Sequence, residues 1–270
     1  MNVLSLFNGM SFGMMALESL EIKVDNYYSS EIDKYANKAT QALFPDVIQL
    51  GDVLNWRDWD IDWTSIDLVT GGFPCQAWSM AGKQLGDKDE RGMLFWTMLD
   101  IMKHVKYHNP KADFLIENVK MKKEFEEYIT LHTENALGHV HKILINKALV
   151  SAQNRNRYYW TNFEVEQPED KGILLGDILE NGVVDNDKSY CVDANYFKGG
   201  NVKSYFEKHR RQLVFNQPCR VSERGRRLTV CGTSRDDKLG EVVRGYEGGS
   251  TEKTTCLTTV QKDNYVLQDY

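Results

Sequence analysis

Cys75 lies where a nucleophile could meet a substrate. It belongs to the segment Gly71-Gly72-Phe73-Pro74-Cys75-Gln76-Ala77-Trp78-Ser79, which follows the apolar run Ile66–Thr70. The run predicts a buried strand, and the paired glycines predict a tight loop after it. Ligands of open α/β sheets bind beyond the carboxyl ends of the strands, so a thiol in this loop can reach a substrate. A small buried hydrophobe is the ordinary alternative for a single cysteine.

A carboxylate follows a later apolar run in the same way. Residues Asp113–Ile116 predict a strand, and Glu117-Asn118-Val119 comes directly after it. An isolated buried charge is costly, so Glu117 needs a partner or solvent. We therefore expect Glu117 at the same edge of the sheet as Cys75, with a structural salt bridge or a helix cap as the alternative.

Two arginines lie close together further along the chain. The segment from Gln153 to Trp160 alternates polar and basic residues and then becomes aromatic. In a strand, Gln153, Arg155 and Arg157 would share one face with Tyr159, so both guanidinium groups could point into a site. An edge strand made polar to resist aggregation is the alternative.

The beginning of the chain predicts a strand, a turn and a helix. Asn2–Phe7 has the pattern of a strand and Phe12–Leu20 that of a helix, joined by Asn8-Gly9-Met10-Ser11. Glycines at positions 9 and 13 let the backbone approach a ligand, and the helix N-terminus offers free N–H groups. The glycine pattern departs from GxGxxG, so ordinary loop glycines remain an equal alternative.

Acidic residues follow the next two predicted strands. Val24–Ser30 ends at Glu31, eighteen residues beyond Gly13, where nucleotide-binding βαβ units have a carboxylate for the ribose hydroxyls. Val47–Leu50 is followed by Asp52, which could accept a hydrogen bond from an adenine amino group or cap a helix. Three successive strand ends carrying polar groups favour a nucleotide-binding site.

The remaining patterns complete an α/β fold. The further predicted helices are Tyr35–Leu43, Met93–Val105 and Lys122–Leu137, and the further predicted strands are His141–Asn146 and Ala148–Ala152. The polar, glycine-marked stretch from Ala81 to Gly92 predicts a mobile lid. Strands that alternate with helices predict an α/β, doubly wound, Rossmann-like sheet with a smaller, irregular, β-containing region after it.

Composition narrows the class of protein. A chain of 270 residues with 41% hydrophobic residues is long enough for one large domain and a smaller one. Its five cysteines contain no CxxC pair, so neither a disulfide framework nor a zinc or other metal site is indicated. The beginning lacks the features of a signal peptide, and no run reaches the roughly 20 apolar residues of a membrane span. We therefore expect a soluble cytoplasmic protein with no membrane contact.

The charge is distributed unevenly. The net charge is −6, but residues 196–262 hold 14 Lys and Arg against seven Asp and Glu. Aromatic residues are interleaved with these basic ones, a mixture that suits a nucleic-acid surface better than a membrane helix. A solvated basic face is the alternative. The shift in character predicts a domain boundary near Glu164–Glu169.

Four segments resemble motifs of the cytosine-C5 DNA methyltransferases in order and approximate spacing. They are Val3-Leu4-Ser5-Leu6-Phe7-Asn8-Gly9, Gly72-Phe73-Pro74-Cys75-Gln76, Glu117-Asn118-Val119 and Gln153-Asn154-Arg155-Asn156-Arg157. They span residues 2 to about 160. The turn from Phe7 to Gly13 looks more like that of animal de novo methyltransferases than the bacterial FxGxGG form. The role, in a phage, a restriction–modification system or a regulatory locus, stays open.

The resemblance implies S-adenosylmethionine as cofactor and double-stranded DNA as partner. Cys75 would add to C6 of a flipped-out cytosine, and Glu117 would hold the N3 edge and supply a proton. Arg155 and Arg157 would orient the base and its backbone. The implied cofactor contacts are Phe7, Asn8, Gly9, Ser11, Gly13, Glu31 at the ribose, Ile32, Asp52 and Val53 at the adenine, and Pro74. The implied substrate contacts are Gln76, Ser79, Asn118, Gln153, Arg210, Arg211, Arg226 and Arg227.

Residues 1–163 are thus expected to form the catalytic domain and residues 164–270 the target-recognition region. The family pattern then continues with RxLTPxE and a Gly-Asn stretch, but Arg226-Arg227-Leu228-Thr229 and Cys256-Leu257-Thr258-Thr259 do not continue as Pro-x-Glu. We therefore expect a second chain or an oligomer contact to complete the catalytic domain, with a compact variant that manages without this segment, or a homologue that binds but catalyses poorly, as alternatives. The alternatives are a transfer-RNA cytosine methyltransferase, a non-enzymatic DNA-binding homologue or split subunit, and, at the level of fold, a nicotinamide dehydrogenase.

Overall fold

The computed structural model describes residues 1–75, 90–192, 202–215, 220–224, 245–248 and 265–266. The chain forms two compact units. The first comprises residues 1–145 and 156–167, and the second comprises residues 146–155 and 168–270. The assignment of residues 1–163 to catalysis and 164–270 to target recognition stays a prediction.

The larger sheet has seven strands, and four helices lie between these strands along the chain. The strands are β1 (Asn2–Leu6), β2 (Asn26–Ser30), β3 (Ile48–Gln49), β4 (Leu68–Gly71), β5 (Asp113–Val119), β6 (His141–Asn146) and β7 (Asn156–Thr161). The helices are α1 (Phe12–Ser19), α2 (Lys34–Leu43), α3 (Glu90–His108) and α4 (Lys123–Leu137). Short 3₁₀ helices span Val53–Asp58, Trp63–Ser65, Lys147–Leu149 and Gly176–Ile178.

The strand order creates a crevice at the middle of the sheet. The order is β3-β2-β1-β4-β5-β7-β6, with β1 to β5 parallel and β7 antiparallel to β5. Strands β2 and β3 are added on one side of β1, and β4 and the later strands are added on its other side. The order in which strands are added therefore reverses between β1 and β4. Doubly wound sheets bind ligands at such a reversal, beyond the carboxyl ends of the strands. The predicted α/β, Rossmann-like fold is confirmed.

The core of the first unit lies between this sheet and its helices. Leu4 on β1 and Ile116 on β5 are fully buried, as are Met98 and Met102 on α3. A Cβ atom on Gly71 would lie 2.8 Å from the sulfur of Met98, so the last position of β4 has room only for glycine. Close packing of α3 therefore excludes a larger side chain at the end of β4, shortly before Cys75.

Strand β5 is longer than predicted. The expected strand stopped at Ile116, whereas β5 continues through Glu117 and Asn118 to Val119. The reason is its antiparallel pairing with β7, in which Glu117 lies opposite Tyr159 and Val119 lies opposite Arg157. Glu117 is therefore held on a strand rather than in a loop.

The predicted strand Ala148–Ala152 is wrong, and so is the predicted strand register that follows it. A 3₁₀ helix occupies Lys147–Leu149, because the Asn146 side chain accepts from the backbone N–H of Ala148 at 3.1 Å and caps it. Strand β7 begins only at Asn156, so Gln153 and Arg155 do not share a strand face with Tyr159. The other predicted helices and strands of the described part are present with ends displaced by a few residues.

The second unit has a small core and a small sheet. Helix α5 (Val202–Lys208) and strands β8 (Arg220–Arg224), β9 (Gly245–Gly248) and β10 (Tyr265–Val266) belong to it, with the antiparallel strand order β10-β8-β9. Tyr205 and Phe215 are buried, and the Tyr205 hydroxyl donates to Asp185. This part is β-containing, as the sequence predicts.

Within the described ranges, no helix is both long enough and apolar enough to span a membrane. In the same ranges, no three His, Cys, Asp or Glu side chains are grouped as metal ligands would be.

Candidate active site

The turn between β1 and α1 has an unusual backbone conformation. Phe7, Gly9 and Ser11 all have positive φ angles, of 55°, 61° and 59°. Non-glycine residues adopt this region at a cost, and such strain clusters at ligand sites. The turn is held by side chains, since Asn8 Nδ2 donates to Ser11 Oγ at 2.6 Å and the Tyr27 hydroxyl donates to Asn8 Oδ1 at 3.1 Å.

Glu31 is tied to this turn by its carboxylate. One oxygen, Oε2, accepts from the backbone N–H of Gly9 at 2.8 Å, and the other, Oε1, accepts from those of Ile32 and Asp33 at 2.8 Å. A carboxylate offers about four acceptor positions, so Glu31 can still accept from a hydroxyl group. The structure therefore brings the predicted residues Gly9, Glu31 and Ile32 together.

Asp52 lies beyond β3 and caps a helix. Its Oδ1 accepts from the backbone N–H of Leu54 at 2.9 Å at the beginning of the 3₁₀ helix Val53–Asp58. The alternative of a helix cap is thus present, and it leaves further acceptor positions on the carboxylate. The Val53 side chain is buried in the core, so a ligand there would meet its main chain. Ser30 on β2 donates to the carbonyl of Gly51 at 2.8 Å, which joins the two strand ends.

Large apolar side chains around these carboxylates are exposed. Ile32 is 75% exposed, Phe12 is 60% exposed and Leu54 is 59% exposed. These three side chains are close in sequence to Glu31, to the turn after β1 and to Asp52, respectively. An aromatic ring of a ligand that packed on them would remove their apolar surface from water. The acceptor oxygens of Glu31 and Asp52 and the exposed apolar side chains together fit an adenosine group.

Gly13 has a structural explanation. A Cβ at this position would lie 2.8 Å from the Tyr27 hydroxyl, so glycine permits close packing of α1 on β2. Burial raises the pKa of the Tyr27 phenol, which keeps its proton available for the bond to Asn8. Tyr27 was not among the predicted site residues; its place in β2, shortly before Glu31, was the available signal.

The loop that carries Cys75 is fastened to β5. The Asn118 side chain donates through Nδ2 to the carbonyl of Phe73 at 3.1 Å, and Asn118 is buried. A Cβ on Gly72 would lie 3.3 Å from Glu117 Oε2, so this glycine leaves space for the carboxylate. Cys75 itself is a free, partly exposed thiol. The structure thus brings Pro74-Cys75 and Glu117-Asn118 to one sheet edge.

Glu117 and Arg157 form an ion pair. Arg157 Nε lies 2.7 Å from Glu117 Oε1, and Arg157 Nη1 donates to the carbonyl of Asn156 at 2.8 Å. The Arg157 side chain is 12% exposed and the Glu117 side chain 33% exposed. These two contacts fix the direction of the planar guanidinium, and the one through Nε holds Oε1 of the carboxylate. One edge of Glu117 is therefore held while the other faces the loop of Cys75.

The other predicted substrate contacts are placed differently. Arg155 belongs to the second unit, where its Nη1 donates to Cys191 Sγ at 3.6 Å, and Gln153 forms a bridge with Ser189. Arg210 and Arg211 follow α5 in the second unit. Four predicted contacts lie outside the described residues: Gln76, Ser79, Arg226 and Arg227. The predicted lid lies largely outside them as well.

A cavity beside Arg157 was not predicted. It has a volume of about 600 Å³, and its lining residues are Lys120, Met121, Lys122, Lys123, Glu124 and Asn156. The three lysines closely follow Val119 in the sequence, and this basic run was the available signal. The cavity is thus lined by three lysines and one glutamate, and it adjoins Asn156, the neighbour of Arg157 in β7.

Comparison with known proteins adds a family match. Residues 1–231 match the family model described as C-5 cytosine-specific DNA methylase. Among curated relatives, the chain is 36% identical over 214 residues to type II methyltransferase M1.ScrFI of Lactococcus lactis subsp. cremoris, a match covering 73% of this chain and 52% of the relative. It is 31% identical over 226 residues to M.HpaII of Haemophilus parainfluenzae, covering 76% and 59%. The chain thus spans between half and three fifths of the length of these relatives.

Solved structures share the fold at lower identity. A mutant of Spodoptera frugiperda DNMT2 matches with a TM-score of 0.52 and 19% identity, covering 73% of this chain and 71% of that one. The Entamoeba histolytica methyltransferase EhMeth matches with a TM-score of 0.52 and 17% identity, covering 73% and 72%. These likenesses concern the architecture.

Proposed function

Because the chain belongs to the C-5 cytosine-specific DNA methylase family, we propose that it transfers a methyl group from S-adenosylmethionine to carbon 5 of a cytosine in double-stranded DNA. The observation that carries the proposal is that the Asn118 side chain fastens the loop of Cys75 to β5, with Gly72 of this loop beside Glu117. A thiol, a carboxylate and the Arg157 guanidinium then serve one reaction from a single sheet edge.

Cys75 is the proposed nucleophile. Carbon 5 of cytosine is a poor nucleophile until carbon 6 is attacked, so the Cys75 thiolate adds to carbon 6 and the ring electrons become available at carbon 5. A base in a duplex is inaccessible to the thiol, and the target cytosine must therefore be extruded. After methylation, loss of the carbon 5 proton and expulsion of the thiolate restore the ring.

Glu117 is the proposed proton donor and anchor of the base. Negative charge that develops in the attacked ring reaches N3, and a carboxyl group within hydrogen-bond distance can supply a proton there. Arg157 fixes the direction in which Glu117 presents its free edge. Arg155 is proposed to orient the base and its backbone, a role carried over from the family pattern.

The cofactor is proposed to bind beyond β1, β2 and β3. When bound, S-adenosylmethionine supplies a methyl group on a positively charged sulfur. Glu31 holds the ribose hydroxyls, Asp52 and the Val53 main chain hold the adenine edge, and Ile32 covers the ring. The strained turn of Phe7, Asn8, Gly9 and Ser11 presents backbone groups to the remainder of the cofactor.

Duplex DNA is the proposed partner, and two concentrations of positive charge support it. The first is the lysine-lined cavity beside Arg157, and the second is the basic composition of residues 196–262. Lysine and arginine bind the phosphates of DNA by charge. The proposed substrate agrees with the cytoplasmic location predicted from the sequence. A second chain or an oligomer contact that completes the catalytic domain stays a prediction. We expect the isolated chain to bind S-adenosylmethionine weakly, and tight binding with full turnover by a monomer would rule this out.

The decisive experiment traps the proposed intermediate. The protein is incubated with S-adenosylmethionine and duplex DNA containing 5-fluorocytosine, and the product is analysed by denaturing mass spectrometry. Fluorine at carbon 5 prevents the final proton loss, so we expect a covalent protein–DNA adduct that is absent from Cys75→Ser. A wild-type protein that forms no adduct with this DNA, while binding it and the cofactor, would contradict the proposal. An adduct with transfer RNA alone would reassign the substrate.

A further inference from the structure

A closed loop precedes Arg155. Residues 147–154 leave β6 and return to β7, and two hydrogen bonds join the ends of the loop. The backbone N–H of Lys147 donates to the carbonyl of Arg155 at 3.0 Å, and the N–H of Arg155 donates to Asn146 Oδ1 at 3.0 Å. The loop of residues 147–154 therefore fixes where the Arg155 backbone lies.

A second segment runs along this loop. The N–H of Ser189 donates to the carbonyl of Ala152 at 2.7 Å, and the N–H of Asn154 donates to the carbonyl of Ser189 at 3.0 Å. Two residues further on, Cys191 Sγ accepts from Arg155 Nη1 at 3.6 Å. Backbone and side chain of the 153–155 stretch are thus both held by residues 189–191, within the second unit.

Lys188 lies at the centre of these contacts. Its ammonium group donates to the carbonyls of Ala148 at 2.8 Å, Ser151 at 3.2 Å and Ile173 at 2.5 Å. An ammonium has three donors, and here all three are used on main-chain oxygens. Two of the three oxygens belong to the loop of residues 147–154, and the third belongs to a neighbouring stretch. Lys188 therefore joins the loop to the segment beside it by charge-assisted bonds.

We propose that Lys188 is a positioning residue for Arg155, which it holds in place by fastening the loop of residues 147–154. The proposal rests on the proposed function for the role of Arg155 in the methyl transfer. Without the ammonium, three carbonyls lose their donor and the loop opens locally, and Arg155 loses its fixed direction. A guanidinium that is misplaced by about 1 Å slows a reaction by about 100-fold.

The structural half of the proposal is tested by amide hydrogen exchange and needs no activity. In Lys188→Met, which keeps an apolar stem, we expect peptides that cover residues 146–155 to exchange about tenfold faster while strands β1, β4 and β5 stay protected. Lys171→Met is the matched control, because Lys171 contacts the same loop through its backbone N–H to Leu149 and its side chain is exposed. Unchanged exchange in Lys188→Met, or an equal increase in Lys171→Met, overturns the proposal.

Lys188→Arg is the second variant and guards against a general loss of folding. It retains a cation with several donors, so we expect it to recover part of the protection that Lys188→Met loses. If Lys188→Met unfolds the whole second unit, hydrogen exchange of Lys188→Arg is compared with that of the wild-type protein. Faster exchange confined to residues 146–155 supports the proposal. Faster exchange throughout the second unit contradicts it.

The functional half is tested by a double-mutant cycle on turnover with duplex DNA. We expect Lys188→Met to lower kcat by about 10- to 100-fold with little change in KM for DNA. Combined with Arg155→Ala, it should cost little more than Arg155→Ala alone, because both changes remove the same contribution. Losses that multiply contradict the proposal. A wild-type protein without methylation activity speaks against the proposed function alone, and the exchange experiment still decides on Lys188.

Discussion

Glu117 combines an observed structural contact with a proposed role in the reaction. Its Oε1 is bound to Arg157, whereas its Oε2 lies against Gly72 in the loop that leads to Cys75. A salt bridge was the ordinary interpretation of this carboxylate, and the structure contains one. The ion pair orients the carboxylate toward the loop, so the structural contact is a condition of the proposed chemistry.

Glu117→Gln is expected to lower the rate of adduct formation with 5-fluorocytosine DNA by about 10²- to 10⁴-fold, the contribution of a positioned acid or base. The amide keeps the shape of the carboxyl group but cannot supply a proton. The amide oxygen can still accept from Arg157 Nε, so the free energy of unfolding should fall by only about 1 kcal/mol. Stopped-flow or quenched trapping measures the rate, and urea unfolding measures the stability.

Glu126→Gln is the matched control for this change. Glu126 lies on α4, is buried and pairs with Lys142. The two ion pairs are similarly exposed, with one nearly buried and one one-third-exposed partner each, so this variant should lose about as much stability as Glu117→Gln. Because Glu126 lies on α4 and not in the candidate site, it should still trap DNA at nearly the wild-type rate. Slow trapping by the Glu126 variant together with an unaffected Glu117 variant would move the acid to another residue.

At the scale of elements, neighbouring glycines at the end of β4 serve different partners. Gly71 lies against Met98 of α3 in the core, and Gly72 lies against Glu117 of β5. The absence of a side chain at Gly71 permits core packing, and its absence at Gly72 leaves space for a carboxylate of the candidate site. The end of this strand is therefore the point at which the core and the site meet.

Alanine at these two positions should separate the two effects. Gly71→Ala would place a Cβ 2.8 Å from the Met98 sulfur, and overpacking of this kind costs about 1–3 kcal/mol of unfolding free energy. Gly72→Ala would place it 3.3 Å from Glu117 Oε2, so we expect a displaced carboxylate, slower trapping and nearly unchanged stability. Thermal unfolding and the trapping assay decide; equal loss of stability in both variants would count against a special role of Gly72.

Strand ends were the part of the site that the sequence could predict. Gly9, Glu31, Asp52, Cys75 and Glu117 each follow or end an apolar run, and the parallel order brings these ends to one edge. The local sequence is sufficient to predict these strand ends, because the apolar runs and the glycines that follow them are signals contained within a few residues.

The stretch from 147 to 155 could not be predicted in the same way. Its apolar residues have the composition of a strand, but Asn146 caps a 3₁₀ helix and Lys188 supplies donors from a distant part of the chain. Such hydrogen bonds depend on residues far apart in sequence. The extension of β5 to Val119 likewise depends on β7, which lies some forty residues later.

At the scale of the whole molecule, charge is separated along the chain. Residues 196–262 carry an excess of seven positive charges, while the chain as a whole has a net charge of −6. A polyanion binds where positive charge is concentrated, whatever the sign of the total. The overall acidity is therefore compatible with DNA as the partner.

Replacement of Arg210 and Arg211 by alanine should weaken binding to duplex DNA. The slope of log K against log salt should fall by about one for each DNA phosphate that these arginines neutralise. Fluorescence anisotropy between low and moderate salt measures both quantities. Replacement of Lys103 and Lys111, which are exposed in the first unit, is the matched control and should leave the slope unchanged. An unchanged slope in the arginine variant would place the DNA surface elsewhere.

The insertion of β7 between β5 and β6 has a consequence for how the protein acquires its function. Until residues 156–161 pair with it, β5 is an open edge, and Glu117 has no guanidinium beside it. Open strand edges invite pairing with other chains. Arrival of β7 removes this hazard and supplies Arg157 in the same event. Pairing of β7 therefore closes the exposed edge of β5 and completes the Glu117–Arg157 ion pair together.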